Sequence, residues 1–198
     1  MTKSFAELTQ NLPHRPILEK ALSYFENLPK IAIDCGCGAG NESSFLLRHH
    51  FKVYAFDPSV DAKNICLIKF KDNKNFLFSN QAFEDYSFPK ASLIIALFSL
   101  FFCFRDSLES VLKKMQESLG EQGILLIQLL GKDDDWVNNF SEKFIGFEQE
   151  ELKQLFDADF DIIYIDEFKG NKPLANGTPK FWNIHTLILK KKILNTFV

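Results

Sequence analysis

The sequence predicts one α/β domain with a doubly wound sheet, parallel at its centre and carrying an antiparallel hairpin at its C-terminal edge. Along residues 31–130, short apolar runs alternate with amphipathic stretches of helical length, as strands and crossover helices do in a parallel sheet. Two later apolar runs, 160–165 and 184–189, are separated only by a Gly-, Asn- and Pro-rich segment without helical periodicity. Strands joined without a crossover helix can pair antiparallel.

Each element is predicted from its own residue pattern. A first helix is expected over residues 15–27. The five strands of the parallel part are predicted at 31–33, 53–56, 76–78, 93–97 and 124–130. The three helices between them are predicted at 41–50, 59–71 and 106–119. The last of these has one apolar face, formed by Leu108, Val111, Leu112, Met115 and Leu119.

Composition and charge exclude several classes of protein. The chain has 198 residues, 46% hydrophobic and 25% charged, which is typical of a soluble globular domain. Its net charge of −3 gives no electrostatic footprint for nucleic acid. The longest uncharged stretch has 14 residues, whereas a membrane helix needs about 18. No apolar run follows Lys3, so no secretory signal is predicted, and we expect a cytoplasmic protein with four reduced cysteines.

A glycine-rich turn follows the first predicted strand, at the sheet edge where open α/β folds bind ligands. Residues 34–40 read Asp-Cys-Gly-Cys-Gly-Ala-Gly, and alternate glycines let the backbone approach a ligand closely. A dinucleotide fingerprint would need its third glycine at Asn41 or Ser43, and no P-loop lysine follows. Asp34 would repel a pyrophosphate and attract an ammonium group. The turn therefore favours a ligand that carries an ammonium group.

An acidic residue follows the second predicted strand. Asp57 lies 23 residues after Asp34, close to the offset of about 20 residues for an acid that binds ribose hydroxyls. Taken singly, a glycine turn or an Asp that caps a helix can be purely structural. Together, at this spacing, they favour a ligand that contains a nucleoside.

On these residues the chain resembles the class I S-adenosylmethionine-dependent methyltransferases. Residues 34–40 match the first motif of that family, and Asp57 matches the acid that ends its second strand. Residues 81–86 resemble the loop that holds adenine, 96–100 the strand exit that faces the sulfonium, and 120–123 the turn before the fifth strand. The resemblance implies the class I methyltransferase fold and S-adenosylmethionine as cofactor. The cofactor-binding residues that it implies are Asp34, Gly36, Cys37, Gly38, Gly40, Asp57, Pro58, Ala82, Phe83, Ala96 and Leu97.

A narrower resemblance comes from the second half of the chain. Gly131, Asp134 and Trp136, followed by Pro-Lys-Phe-Trp at 179–182, are similar to a bacterial subgroup of small methyltransferases related to tellurite-resistance-type enzymes. Asn183 stands where that subgroup usually has His. In the adenine loop, Ala82 stands where many relatives have an Asp, so adenine would depend on backbone groups and apolar packing.

Four residues are candidates for a general base: His14, Asp134, Lys180 and His185. Each of them also has an ordinary structural interpretation. The acidic run at 133–135 suggests a metal ion at first sight, but three consecutive acids cannot all point at one ion. The run suits the cap of a following helix better, so no metal is expected.

The implied function is transfer of a methyl group to an unidentified, small-molecule acceptor. We expect a single domain over residues 1–198, with residues 1–28 as an N-terminal helical lid, in a monomer or homodimer. The Phe and Leu content of 1–28 and 133–155 favours a partly apolar acceptor. Two alternatives stay open: an oxidoreductase with a nucleotide cofactor, and a non-catalytic methyltransferase-like protein that acts through a partner.

Overall fold

The computed structural model describes residues 3–193. Its strands are β1 Ile31–Cys35, β2 Lys52–Phe56, β3 Phe76–Ser79, β4 Ala91–Ala96, β5 Leu119–Gly131, β6 Gly146–Phe147, β7 Phe160–Asn171 and β8 Phe181–Lys191. They form one sheet in the order β3-β2-β1-β4-β5-β8-β7, and β6 pairs with the end of β5. Strands β1 to β6 pair in parallel, whereas β8 is antiparallel to both β5 and β7. The predicted fold class is confirmed.

The sheet is covered by helices on both faces. The helices are α1 Phe5–Thr9, α2 Ile17–Leu22, α3 Asn41–Arg48, α4 Val60–Lys69, α5 Leu108–Ser118, α6 Asp135–Asn139 and α7 Gln149–Phe156. Alternate residues of β1 point to opposite faces, with Ile33 among the apolar residues of α5 and α7, and Ala32 among those of α2, α3 and α4. Strand β4 is buried along its whole length, as expected at the centre of a doubly wound sheet.

Two predicted boundaries are wrong for local reasons. The first predicted helix, 15–27, is shorter in the structure, because after Leu22 the Tyr24 and Phe25 N–H groups bond to carbonyls three residues back instead of four. Asn27 then adopts a left-handed φ of 51°. The predicted turn at 120–123 lies inside β5, as a bulge where the pairing with β4 shifts register and Gln122 has a φ of 59°.

The hairpin and the segment that precedes it contain more regular structure than predicted. Strands β7 and β8 extend to Asn171 and Phe181, which shortens their connection to residues 172–180. Helix α7 was not predicted, although Glu148 and Glu151 form a capping box before the apolar pair Leu152 and Phe156. Between residues 3 and 193, the helices are all too short or too polar to cross a lipid bilayer.

Candidate active site

A cavity of about 130 Å³ lies at the carboxyl ends of β1 and β4. One wall is the glycine turn with the start of α3, and the other is the N-terminal segment, defined here as residues 5–15. The floor is the exit from β4, where Leu97 and Phe98 face the cavity. The predicted cofactor residues that the structure brings together there are Asp34, Gly36, Cys37, Gly38 and Leu97.

The three glycines of the turn all adopt left-handed φ angles, 65° at Gly36, 51° at Gly38 and 68° at Gly40. A Cβ on Gly36 would lie 2.5 Å from Cβ of Ser99, and one on Gly40 would lie 2.7 Å from the ring of Phe70. These two glycines are therefore required by the packing of the chain itself. A Cβ on Gly38 would meet nothing within 4 Å. Gly38 alone of the three leaves open space for a ligand.

The carboxylate of Asp57 is joined to this turn. Its Oδ2 accepts a hydrogen bond from the Gly38 N–H at 2.9 Å, and its Oδ1 accepts one from the Ser59 N–H at 2.8 Å. Partial burial raises the pKa of Asp57, and the two backbone hydrogen bonds oppose that shift. An ionised carboxylate has about four acceptor positions, so Asp57 retains capacity for two hydroxyl donors.

A cluster of charged groups, in which Asp34 and Glu42 are buried and Arg15 is partly exposed, lines the same cavity. Ser43 Oγ donates to Asp34 Oδ2 at 2.6 Å, and Arg15 donates to Glu42 Oε1 through Nη1 at 2.7 Å and through its backbone N–H at 3.1 Å. Burial, and then the charge of Glu42, raise the pKa of Asp34 to about 7. Two carboxyl groups thus face one guanidinium. Because the carboxyl groups outnumber the guanidinium by two to one, the cluster can pair with one further positive charge.

The N-terminal segment is held over the cavity by side-chain contacts. Besides the ion pair of Arg15, Asn41 Nδ2 donates to the Thr9 carbonyl at 2.9 Å. Lys69 of α4 donates to the carbonyl of Ala39 at 3.1 Å and to Oδ1 of Asn41 at the same distance. Hydrogen bonds at the start of α3 therefore connect the N-terminal segment to the glycine turn.

The other six predicted cofactor residues lie outside the cavity lining. Gly40 and Asp57 belong to this group, although Asp57 bonds to Gly38, which does line the cavity. Pro58 is exposed, Ala82 is half-buried and Ala96 is fully buried in β4. The ring of Phe83 packs edge-on against Phe56, with 5.1 Å between their centroids. An adenine-binding role for the loop at 81–86 stays a prediction.

None of the four candidate bases is among the residues that line the cavity. His14 Nε2 lies 2.8 Å from Glu19 Oε1, and its ring stacks on Phe45 at 3.8 Å. His185 Nε2 donates to the Phe147 carbonyl at 2.9 Å, while its buried Nδ1 has no hydrogen-bond partner. Their roles in catalysis stay predictions.

Asp134 and Lys180 form a buried ion pair with each other. Asp134 also accepts from the backbone N–H groups of Trp136 at 2.9 Å and Asn183 at 3.0 Å. The Lys180 ammonium lies 4.1 Å from the ring centre of Trp182 and 4.5 Å from that of Trp136. These contacts tie α6 to β8, and they already occupy both charged groups.

The acidic run at 133–135 points in three directions. Asp133 pairs with Lys169 at 2.8 Å, Asp134 caps α6, and Asp135 accepts from the Phe181 N–H at 2.6 Å. The predicted capping role is confirmed. Within residues 3–193, no three His, Cys, Asp or Glu side chains are grouped to hold a metal ion.

Asn183, which stands where the resembled subgroup usually has His, packs against Gly131. A Cβ on Gly131 would lie 2.0 Å from Asn183 Oδ1, so the amide occupies the space that this glycine leaves. Asn183 accepts from the Asp133 N–H at 3.1 Å and donates to Glu167 at 2.7 Å. Asn183 thus joins β8 to β7 and to the segment that follows β5.

Comparison with known proteins decides the family. Residues 7–160 match the family model described as a methyltransferase domain. The chain therefore belongs to this methyltransferase family. Of the two alternatives to a methyltransferase, neither the oxidoreductase nor the non-catalytic binding protein is favoured by this match. S-Adenosylmethionine, the cofactor that the sequence predicts, fits a methyltransferase of this fold.

Solved structures show the same fold in other methyltransferases. TehB from Haemophilus influenzae aligns with a TM-score of 0.75 and 21% identity, over 90% of this chain and 63% of that one. The N-methyltransferase NodS from Bradyrhizobium japonicum, solved with S-adenosyl-L-homocysteine, aligns with a TM-score of 0.69 and 12% identity, over 94% of this chain and 92% of that one. At these identities both matches show a shared fold.

A curated sequence relative is the carboxy-S-adenosyl-L-methionine synthase of Helicobacter pylori. This methyltransferase is 32% identical to it in an alignment of 108 residues that covers 52% of this chain and 44% of the synthase. The match thus spans less than half of the relative's length.

Proposed function

We propose that this methyltransferase moves a methyl group from S-adenosylmethionine to a small-molecule acceptor, with the amino-acid end of the cofactor held beside Asp34. The supporting observation is the cavity itself, where two buried carboxyl groups face one guanidinium next to the open side of Gly38. The amino-acid end of the cofactor carries one ammonium and one carboxylate group. The charges present therefore match it.

Each cofactor-binding role follows from a contact. Asp34 and Glu42 receive the ammonium, and Arg15 receives the carboxylate when it turns from Glu42. Asp57, which already accepts from the Gly38 N–H, takes the ribose hydroxyls. When bound, the cofactor supplies a sulfonium methyl group that passes in line to the acceptor. The part of the protein is to bind, orient and exclude water.

The N-terminal segment must move to admit the cofactor. A cavity of about 130 Å³ is smaller than ligand pockets usually are, roughly 300–1,000 Å³. Arg15 is the residue that links the movement to binding, because it bonds to Glu42 in the closed segment and has the charge that the cofactor carboxylate needs. The proposed movement involves residues 5–15, which are part of the predicted lid at 1–28.

Aromatic side chains line the part of the cavity where we place the methyl acceptor. Phe98 lines the cavity and meets Trp182 edge-on at 5.4 Å between ring centres. From there an aromatic cluster continues through Phe101 and Trp136 to Phe102, whose side chain is 53% exposed. A planar, partly apolar small molecule is the acceptor that such a wall would stabilise. Because none of the four candidate bases lines the cavity, positioning and desolvation carry the proposed catalysis.

Calorimetric titration tests the proposal. We expect micromolar binding of S-adenosylmethionine and S-adenosylhomocysteine, and no binding of NADH. With methyl-labelled cofactor and a cell extract, label should then enter the small-molecule fraction in amounts proportional to the enzyme. Binding of NADH instead, or no binding of either adenosyl compound, would contradict the proposal. Label only in the protein or nucleic-acid fraction would contradict the small-molecule acceptor.

Replacing Asp57 by Ala is expected to weaken S-adenosylhomocysteine binding by a factor of about 10 to 100. Charged hydrogen bonds contribute about 1.5–3 kcal/mol each, and Asp57 also fixes the Gly38 N–H. Calorimetry compares this variant with Asp61→Ala, which removes an exposed carboxylate from the first turn of α4. An affinity for Asp57→Ala equal to that of the control would remove Asp57 from the site.

The proposal also covers the binding partners, the location and the oligomeric state of the protein. The net charge of −3 supports a protein that binds neither nucleic acid nor anionic membranes. A cytoplasmic location and a monomeric or homodimeric state stay predictions.

A further inference from the structure

Two cysteine thiols meet beneath the glycine turn. Cys37 belongs to the turn and Cys66 to α4, and their Sγ atoms lie 3.9 and 3.4 Å from the same acceptor, the Gly38 carbonyl oxygen. Both side chains are buried, and both are free thiols. A hydrogen bond in which the Cys37 thiol is the donor to Cys66, followed by burial, raises the pKa of Cys37, so Cys37 is protonated at neutral pH.

The other two cysteines lie on the opposite face of the sheet. Cys35 and Cys103 pack in the apolar layer of α5 and α7, whereas Cys37 and Cys66 pack in the layer of α3 and α4. Cys37 is also the only cysteine among the residues that line the cavity. A small reagent that enters the cavity therefore reaches Cys37 first, because Cys66 is fully buried and does not line the cavity.

The position of the pair connects it to the cofactor site. The Gly38 carbonyl contacts both thiols, the Gly38 N–H donates to Asp57, and the open side of Gly38 faces the cavity. A Cβ on Gly40 would lie only 3.1 Å from Cys66 Sγ, so the sulfur packs tightly under the turn. A displacement of either sulfur therefore changes its contact with the backbone of this turn.

We propose that Cys37 and Cys66 form an intramolecular disulfide when the protein meets hydrogen peroxide, and that this disulfide closes the cofactor site. Cys37 attacks one peroxide oxygen, which gives a sulfenic acid on Cys37 and one water. Cys66 sulfur then displaces the hydroxyl of the sulfenic acid, which leaves as a second water. The two thiols supply the two electrons that reduce the peroxide, and their two protons end in the two waters.

The disulfide changes the geometry of the turn because a sulfur–sulfur bond is about 2.05 Å long, much shorter than a non-bonded contact. Cys37 is then drawn toward α4, which displaces the adjoining Gly38 and its N–H, the donor to Asp57. The raised pKa of Cys37 makes the first step slow at neutral pH, since the thiolate is the reacting form. The pair should respond to sustained peroxide and react faster as the pH rises.

The experiment treats the reduced full-length protein with hydrogen peroxide at pH 8, with and without saturating S-adenosylhomocysteine. Free thiols are then blocked with N-ethylmaleimide and non-reduced peptides are mapped by mass spectrometry. We expect a peptide pair linked through Cys37 and Cys66, formed at least tenfold more slowly when the ligand is present. We also expect at least tenfold weaker ligand binding after oxidation, restored by dithiothreitol. Binding to the reduced protein is the reference, so a failure of the cofactor proposal is seen separately.

Two variants complete the test. Cys103→Ser should behave like the wild type, because Cys103 lies on the other face of the sheet. Cys66→Ser should give no linked peptide, and no loss of affinity that dithiothreitol reverses. The proposal is overturned if peroxide links other cysteines first, if the linked protein binds as tightly as the reduced one, or if Cys66→Ser shows the same reversible loss. Mapping of the wild-type protein decides the disulfide even where a variant fails to fold.

Discussion

Replacing Asp34 by Asn should stabilise the fold above neutral pH and weaken cofactor binding. Asp34 is buried, and burial together with the charge of Glu42 raises the pKa of its carboxyl from 3.8 to about 7. Holding that ionised group away from water destabilises the folded protein by an amount on the order of a few kcal/mol. Asparagine carries no charge, and its amide oxygen can still accept from Ser43 Oγ, the present donor at 2.6 Å.

The sign of the pH dependence follows from linkage. Between about pH 4 and 7 the folded protein retains a proton on Asp34 that the unfolded chain has released. The free energy of unfolding therefore falls as the pH rises through this window, and it does so less in Asp34→Asn. The variant and the wild type should melt at similar temperatures near pH 4.5, and the variant several degrees higher at pH 8.

Ligand binding should depend on pH in the opposite direction. The ammonium of S-adenosylhomocysteine favours the ionised carboxylate, so wild-type affinity should rise from pH 5.5 to 7.5. Asp34→Asn should bind about 10 to 100 times more weakly at pH 7.5, since a charged hydrogen bond of about 1.5–3 kcal/mol is lost. Calorimetry and thermal melts should be run beside Asp72→Asn, an exposed site. If Asp34→Asn binds as tightly as this control, the ammonium is held elsewhere.

The sheet was predictable because its signals are local. Apolar runs, helical faces and the Asp34 to Gly40 spacing can all be detected within a few residues, and with Asp57 they predict a site at the ends of β1 and β2, the first of which borders the cavity. The absence of a crossover helix before β8 was likewise enough to predict the antiparallel edge.

The second wall of the cavity depends on contacts between distant residues. Arg15 pairs with Glu42 across 27 positions and Asn41 bonds to Thr9 across 32, which no local pattern encodes. One local feature of Glu42 could have suggested a role in the site, its place as an acidic residue in the first turn of a helix. That position is equally favoured by the helix dipole. The buried pair of Asp134 and Lys180 was missed for the same reason, since 46 residues separate its members.

Replacing Gly38 by Val should abolish cofactor binding in a protein that still folds cooperatively. A side chain at this position meets nothing within 4 Å, so the isopropyl group would project into the cavity. The same change at Gly36 or Gly40 would collide with Ser99 or Phe70, and loss of binding there would only report damage to the fold. Gly38 is therefore the position at which a steric test of the turn can be interpreted.

Gly38→Val also introduces backbone strain, and Gly177→Val is the control for that strain. Gly38 has a φ of 51° and Gly177 a φ of 87°, and an added Cβ at either has no atom within 4 Å. Valine in left-handed backbone costs roughly 1–2 kcal/mol, so both variants should lose a similar free energy of unfolding. Gly177 lies in the exposed connection between β7 and β8, so Gly177→Val should bind S-adenosylhomocysteine normally, and Gly38→Val at least 100-fold more weakly. Because strain is common to both variants and the cavity to only one, equal affinities would mean that the ligand does not bind against this turn.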